Sequence, residues 1–557
     1  MPIFEYACPP CRKIFQFLSK RLKPTRKPAC PQCGNRRMVK EISQFAALKG
    51  AAKPKAGGGG AEGGMPDFDN PRIQHAMREM ESDMAHLDEN NPKHMAHMMR
   101  KMKDLMPADM MPKEMNDAIR RLESGEDPEK IEEDMGEIFD QFMGPDEGFS
   151  DALRPAIERM LDDTILEWQI WVRGLAIPAE WQEAVIRSAI TLKLCQHEET
   201  GAIVAALTTS IPEHADSGRN WDYRYCWIRD AYYTVEALNR LGALDVLESY
   251  LVYLRNIVDG AKGGHIQPLY DVRGNATLTE WEAESLPGYR GMGPVRVGNA
   301  AYEQIQHDAY GQIVLSSVQG FIDQRLLRMA GHADFEALEA VGERAWQVYD
   351  KPDAGLWELR TRAHVHSYSA VMCWAACDRL AHAAKALGLD MRAAYWENRA
   401  ETMRARILEA AWRNDSNAIS ANFEDDSRDA SLLQLLDLRF LSADDPKFTG
   451  TLAALEADLR RGNDMLRYSA PDDFGEPVTA FNVCTFWLIE ALHRTGRTAE
   501  ARELFEEMLS RRTAAGLLSE DIDPVTGELW GNYPQTYSLV GIINCAVLLS
   551  KPWSAMR

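Results

Sequence analysis

The sequence predicts a mainly α protein: a toroid of about twelve helices, preceded by a small cysteine-bearing unit and a Met-rich helical segment. Three observations predict it. From about Ala179 onward, apolar residues recur at three- and four-residue spacing over long stretches. Few segments show the two-residue alternation of a half-buried strand. No period of roughly 34–45 residues repeats, which argues against a helical solenoid.

Residues 1–50 carry four of the ten cysteines, as Cys8-x2-Cys11, then 18 residues, then Cys30-x2-Cys33. Four thiolates at this double CxxC spacing can close a tetrahedral zinc site, and a site with four cysteine ligands is structural. The metal compensates for the small core of so short a unit. The stretch MPIFEYACPPC…CPQCG resembles the FmdB-type regulatory zinc-ribbon family. Phe4 replaces the usual Tyr there, and Pro10-Cys11-Arg12 departs from the usual Cys-Gly knuckle. The unit is strongly basic, with 11 Lys/Arg against Glu5 and Glu41. That charge permits a protein or nucleic-acid partner. It also permits neutralisation by residues 116–149, which hold 12 acids and three bases.

Residues 51–69 are a Gly-rich linker with too little side chain to pack. Residues 70–145 form a Met-rich and acidic helical segment, with eleven Met between Met77 and Met115. It reads as an amphipathic hairpin or as an adaptable docking surface for a partner helix. Helices are then expected at 179–197, 229–241, 243–259, 305–330, 333–350, 365–388, 391–412, 430–441, 445–461, 478–496, 497–513 and 537–550.

Composition narrows the function. A formal charge of −21 over 557 residues argues against the whole chain wrapping nucleic acid. No run of roughly 18 apolar residues is present, so no membrane span is expected. The N-terminus lacks the pattern of a secretory signal, and a cytoplasmic location is expected. The dispersed Cys195, Cys226, Cys373, Cys377, Cys484 and Cys545 then read as buried thiols.

Three segments carry chemistry. NWDYRYCWIRD at 220–230 sets four aromatics, two Arg and two Asp just before a helix. Aromatic faces cover the C–H face of a sugar ring, and Arg and Asp hydrogen-bond its hydroxyls. Such clusters also stabilise helix-end loops. In GLWELR, Glu358 follows Trp357 between apolar neighbours, where desolvation would favour a neutral general acid, although a Glu there also serves as a cap. In GLLSEDIDPVTGE at 516–528 one carboxylate could activate water, but spacing does not choose among Glu520, Asp521, Asp523 and Glu528.

Together these segments resemble glycoside hydrolase family 15, the glucoamylase- and trehalase-like family. The match runs from about Ala179 to Trp553 and includes RSAITLK, TGAIVAALTTSIPE, LPGYRGMGPVRVGNAA, QHDAYG, YSAVMCW and CTFWLIEAL in family order. The resemblance implies an (α/α)6 catalytic barrel over 163–557. It implies Glu358 as general acid and Glu520 as general base, with Tyr223, Trp227, Arg229 and Asp230 at the subsite for the terminal sugar. Trp357 would stack beside the acid, and Arg467 would lie in a further sugar-binding segment. Leu359-Arg360 suits the bacterial branch. The implied activity is inverting, exo-acting release of glucose from α-glucan oligosaccharides or trehalose, with no cofactor needed for catalysis.

Bacterial members usually carry a β-sandwich before the barrel, and the residues preceding this one are too few for it. Trp168, Ile170, Trp171 and Val172 would then form an exposed apolar patch. The competing reading is a zinc-ribbon regulatory or adaptor protein with a weakly active or inactive barrel.

Overall fold

In the computed structural model of the protein, the described residues are 3–8, 13–18, 37, 39–40, 96, 100, 115–126, 130–131 and 147–556. The chain divides into two units, 1–154 and 155–557.

In the first unit, Ile3–Cys8 pairs antiparallel with Lys13–Leu18 on one side and Val39–Lys40 on the other. Cys8 ends its strand opposite Lys13. The side chain of Cys8, and Cys11, Cys30 and Cys33 entirely, lie outside the described residues, as does the Gly-rich linker. Of the Met-rich and acidic segment, helix α1 (Met115–Glu123) is described, and it buries Ile119 and Leu122.

The second unit opens within α2 (Glu147–Arg173), at Pro155. The apolar patch expected near its end is only partly exposed. Ile170 faces solvent, but Trp168, Trp171 and Val172 are half-buried, and Trp171 packs on the barrel core beneath Lys193. Further up the same helix, Ile157, Met160, Leu161, Ile165 and Leu166 are exposed.

Twelve helices follow among the described residues: α3 (Gln182–Leu194), α4 (Ile228–Arg240), α5 (Leu244–Ala261), α6 (Asp308–Val318), α7 (His332–Val348), α8 (Ser367–Ala386), α9 (Asp390–Ala411), α10 (Gln434–Asp437), α11 (Pro446–Leu459), α12 (Asn482–Arg494), α13 (Thr498–Ser510) and α14 (Thr536–Leu549). Sequence chemistry sorts them into two rings. Helices such as α12 and α14 are apolar nearly all round and bury almost every residue. Helix α5 instead buries a stripe, Val246, Leu247, Tyr250, Tyr253, Leu254 and Ile257, and leaves its other face to water. The first kind makes the inner ring, α4–α6–α8–α10–α12–α14, in which neighbours pack together, the 3-10 turn Ala430–Leu433 that leads into α10 making the contact with α12, and α14 closes back on α4. The second kind alternates with it outside. Every inner helix is thus entered from an outer one and runs in the same direction.

Two expected helices are shorter than their sequence pattern. The 305–330 stretch stops at Val318 because Asp323 turns back to accept hydrogen bonds from Gln319 and from the backbone and side chain of Arg325. The 430–441 stretch is a 3-10 turn capped by Asp429, then α10, ending near Arg439 with a left-handed backbone. No described helix is long and apolar enough to cross a membrane.

The inner helices touch closely. A Cβ on Gly311 of α6 would lie 2.3 Å from the Met372 carbonyl oxygen of α8. Gly311→Ala should therefore destabilise the barrel by about 1–3 kcal/mol, read as a lower denaturant midpoint at unchanged slope.

Candidate active site

The loops that feed the inner helices meet at the helices' N-terminal ends and enclose one pocket. Tyr223, Trp227, Arg229, Asp230, Trp357, Glu358, Arg467 and Glu520 all line it. Sequence reasoning had named each of these.

Glu358 sits on the loop between Asp353 and His364, which pair as an isolated bridge and so close the loop's base. The turn is tight: Glu358 N–H donates to Gly355 O, and both residues have left-handed backbones, with φ of 59° and 70°. For Glu358 this conformation is strained, a feature that concentrates at functional sites. A Cβ on Gly355 would strike the His366 ring at 2.6 Å. The Glu358 carboxylate is not enclosed by apolar groups as its neighbours suggested. It accepts hydrogen bonds from Trp227 Nε1 at 2.6 Å and Arg229 Nη2 at 3.3 Å.

Glu520 is gripped from both sides. Its N–H donates to Asn532 O, its carbonyl accepts from Asn482 N–H at the start of α12, and the next two residues pair with Ala480–Phe481 and Leu529–Trp530. Gly531 is required here, since a Cβ on it would lie 2.7 Å from Glu520 Cβ. Glu520 Oε1 accepts from the Tyr223 hydroxyl at 2.7 Å, while buried Oε2 has no hydrogen-bond partner among the described residues.

The geometry separates the four acids of this loop. Asp521 turns away to Thr479, Asp523 caps the backbone of Val525 and Thr526, and Glu528 pairs with Arg290 at the surface. Of the four, Glu520 alone lines the pocket.

Tyr223 and Trp227 pack edge to face, with ring centroids 5.4 Å apart. One aromatic pair therefore holds both glutamates, Glu520 through its phenol and Glu358 through its indole. Beyond it, Arg229 donates to Leu356 O, and its Nε lies 3.3 Å from Asp230 Oδ2. Neither of those last two atoms has a hydrogen-bond partner among the described residues. The two atoms are an ion pair without an aligned hydrogen bond, which leaves each able to bond a ligand. Burial raises the Asp230 carboxyl to about 6, although Arg229 opposes the shift. Trp357 packs edge-on to Tyr468 and Phe481 and forms an aromatic wall beside Glu358.

A second charged network had no sequence signal. Glu213 bonds to Arg467 and accepts from Trp221, and Arg219 makes a two-pronged pair with Asp472 at 2.7 and 2.6 Å. These partners lie some 250 positions apart in the chain. Glu213 lies inside the TTSIPE stretch and Arg467 is itself expected at the site, but nothing in the sequence pairs them.

The family described as glycosyl hydrolases family 15 matches residues 180–547. The chain belongs to this family. The trehalase of Mycolicibacterium smegmatis (strain ATCC 700084 / mc(2)155) is 35% identical over 387 residues, which are 68% of this chain and 57% of that protein. The trehalase of Thermoplasma volcanium is 34% identical over 70% of this chain and 62% of its own length. The chain thus spans about three-fifths of these relatives, and their range shows that the resemblance is not confined to a bacterial branch. A bacterial glucoamylase solved with acarbose superposes with a TM-score of 0.55 at 16% identity, over 71% of this chain and 59% of that one. A structure titled "Glycosidase Wild Type" gives 0.52 at 18%, over 66% and 96%. These structures establish that the fold is the glucoamylase-like (α/α)6 barrel.

In this family 15 barrel the most perturbed carboxyl lining the pocket is Glu520. Burial first, and then the neighbouring Asp521, raise its pKa well above the ordinary carboxylate range. Asp521→Asn removes a like charge and should lower the apparent pKa of Glu520. Carbon-13 NMR of the side-chain carboxyls across a pH titration reads that shift.

Proposed function

We propose that the barrel hydrolyses α-glucosides from the non-reducing end with inversion, releasing glucose from trehalose or short α-glucan oligosaccharides. The observation that carries this reading is the seating of Glu358 and Glu520 on the two rings of one aromatic pair, facing a single pocket. The terminal sugar would enter towards Arg229 and Asp230, whose unsatisfied polar atoms match its hydroxyls. Glu358 then protonates the glycosidic oxygen as the bond to C1 breaks. Glu520 removes a proton from a water on the opposite face, and the oxygen of that water bonds to C1 with inverted configuration. This chemistry calls for roughly 6.5–9.5 Å between the carboxyls, enough for the water. Among substrates, the names of the relatives favour trehalose.

Because Glu520 must be ionised to act, its raised pKa places the acidic limb of kcat/KM above the usual carboxylate range. Six buried free cysteines among the described residues suit a cytoplasmic home for this reaction.

Glu358→Gln should lower kcat by about 10²–10⁴-fold with the circular dichroism spectrum unchanged. Proton NMR of the first products should show β-glucose from maltooligosaccharides, and equal α- and β-glucose from trehalose. A wild-type chain inert toward both substrates would defeat this reading and favour the adaptor.

We also propose structural zinc on Cys8, Cys11, Cys30 and Cys33. The double CxxC spacing supports it, and Cys8 ends a strand paired antiparallel with Lys13–Leu18. Elemental analysis should find one zinc per chain, retained by wild type and lost in a Cys30→Ser/Cys33→Ser variant.

A further inference from the structure

The inner end of the pocket and its two glutamates have roles in the proposed reaction, but its outer end does not. That end is crossed by residues 471–475. On one side, Asp472 accepts two hydrogen bonds from the Arg219 guanidinium and a third from the Tyr468 hydroxyl. Arg219 also donates to Gly475 O at 2.9 Å. On the other side, Asp473 accepts from the N–H of Arg360 at 2.7 Å, from the N–H of Thr361 and from the Thr361 hydroxyl. Arg362 donates to Pro471 O.

These anchor points are not arbitrary. Trp221 lies two residues before Tyr223, which holds Glu520, and Arg360 lies two residues after Glu358. The segment therefore ties the arm of one glutamate to the arm of the other on the solvent side. Phe474 fills the gap. Its ring meets Trp221 edge-on at 5.1 Å, and the Arg360 guanidinium lies 4.4 Å from the Trp221 ring. Asp472, Asp473, Phe474, Trp221 and Arg360 all line the pocket.

We propose that residues 471–475 are a strap that sets substrate length, and that Asp473 is its specificity-determining residue. With the strap lifted, one leaving-group ring would face Trp221 and be hydrogen-bonded by the charged groups. A third ring would have to pass where Asp473, Phe474 and Arg360 meet. The cavity is about 90 Å³, against roughly 300–1,000 Å³ for pockets that hold larger ligands. The strap must therefore lift to admit even a disaccharide. Its Asp473 side is the releasable one, because those hydrogen bonds are solvent-exposed whereas the Arg219–Asp472 pair is buried. The substrate class is a two-ring α-glucoside, and this inference rests on the reading of the pocket as a glucose-releasing site.

The test compares trehalose, maltose and maltotriose as substrates of the full chain. Where a maltoside binds without cleavage, its inhibition constant against trehalose is used in place of kcat/KM. The wild-type chain should discriminate against the third ring. Asp473→Ala should narrow the step from maltose to maltotriose by about tenfold or more while weakening kcat/KM for the disaccharides. Asp473→Asn, which keeps an acceptor oxygen, should fall nearer wild type, and Phe474→Ala should act in the same direction as Asp473→Ala. Active variants with wild-type discrimination, or a wild-type chain that handles three rings as well as two, would overturn the strap and leave the catalytic reading intact. A wild-type chain that releases glucose from none of the three would instead overturn the catalytic reading and the strap with it.

Discussion

A carboxyl group taken out of water protonates unless something nearby pays for its charge, and this barrel buries several at one end. Asp230, Asp308, Asp429, Glu520 and Asp521 are all nearly inaccessible to solvent. Two features make that concentration tolerable. The inner helices share one direction, so the positive ends of α4, α6, α12 and α14 converge where these acids lie. Two buried guanidiniums, Arg229 and Arg467, sit among the acids as counter-charges. The remaining imbalance appears as raised carboxyl pKa values, at the Glu520–Asp521 pair and at buried Asp353.

The same arrangement gives the two glutamates unlike surroundings. Glu358 is held by donors on a strained turn at the pocket wall. Glu520 is locked among short strands, with one oxygen bonded and the other bare. A pair so differentiated can divide acid and base duties, because each carboxyl responds to a different set of neighbours.

The fold sorts the dozen helices of the toroid into two rings by how much of each surface is apolar, and helix periodicity made the helices themselves legible from sequence. It misjudged length where a side chain intervened, as at Asp323. It also could not see the short fourth inner element, whose Leu432, Leu435 and Leu438 continue the apolar pattern beyond the helix itself. The site residues were legible because most lie in dense local motifs. The surroundings of Glu358 were misread because its sequence neighbours are apolar, while its spatial neighbours, Trp227 and Arg229, come from a segment about 130 positions away. The Glu213–Arg467 and Arg219–Asp472 pairs escaped for the same reason, at twice the separation. Among Glu520, Asp521, Asp523 and Glu528, spacing left the choice open; the family resemblance implied Glu520, and Glu520 is the one that lines the pocket.

Both glutamates take their hydrogen bonds from residues 223 and 227, within one short stretch of chain. The spacing of the two carboxyls is therefore inherited locally, much as a jig fixes two tools. The loops that deliver the glutamates, and the strap that spans them, can diverge in length and composition without resetting that spacing. A lineage could then exchange one sugar substrate for another by remodelling the rim, while the hydrolytic geometry passed unchanged through each step.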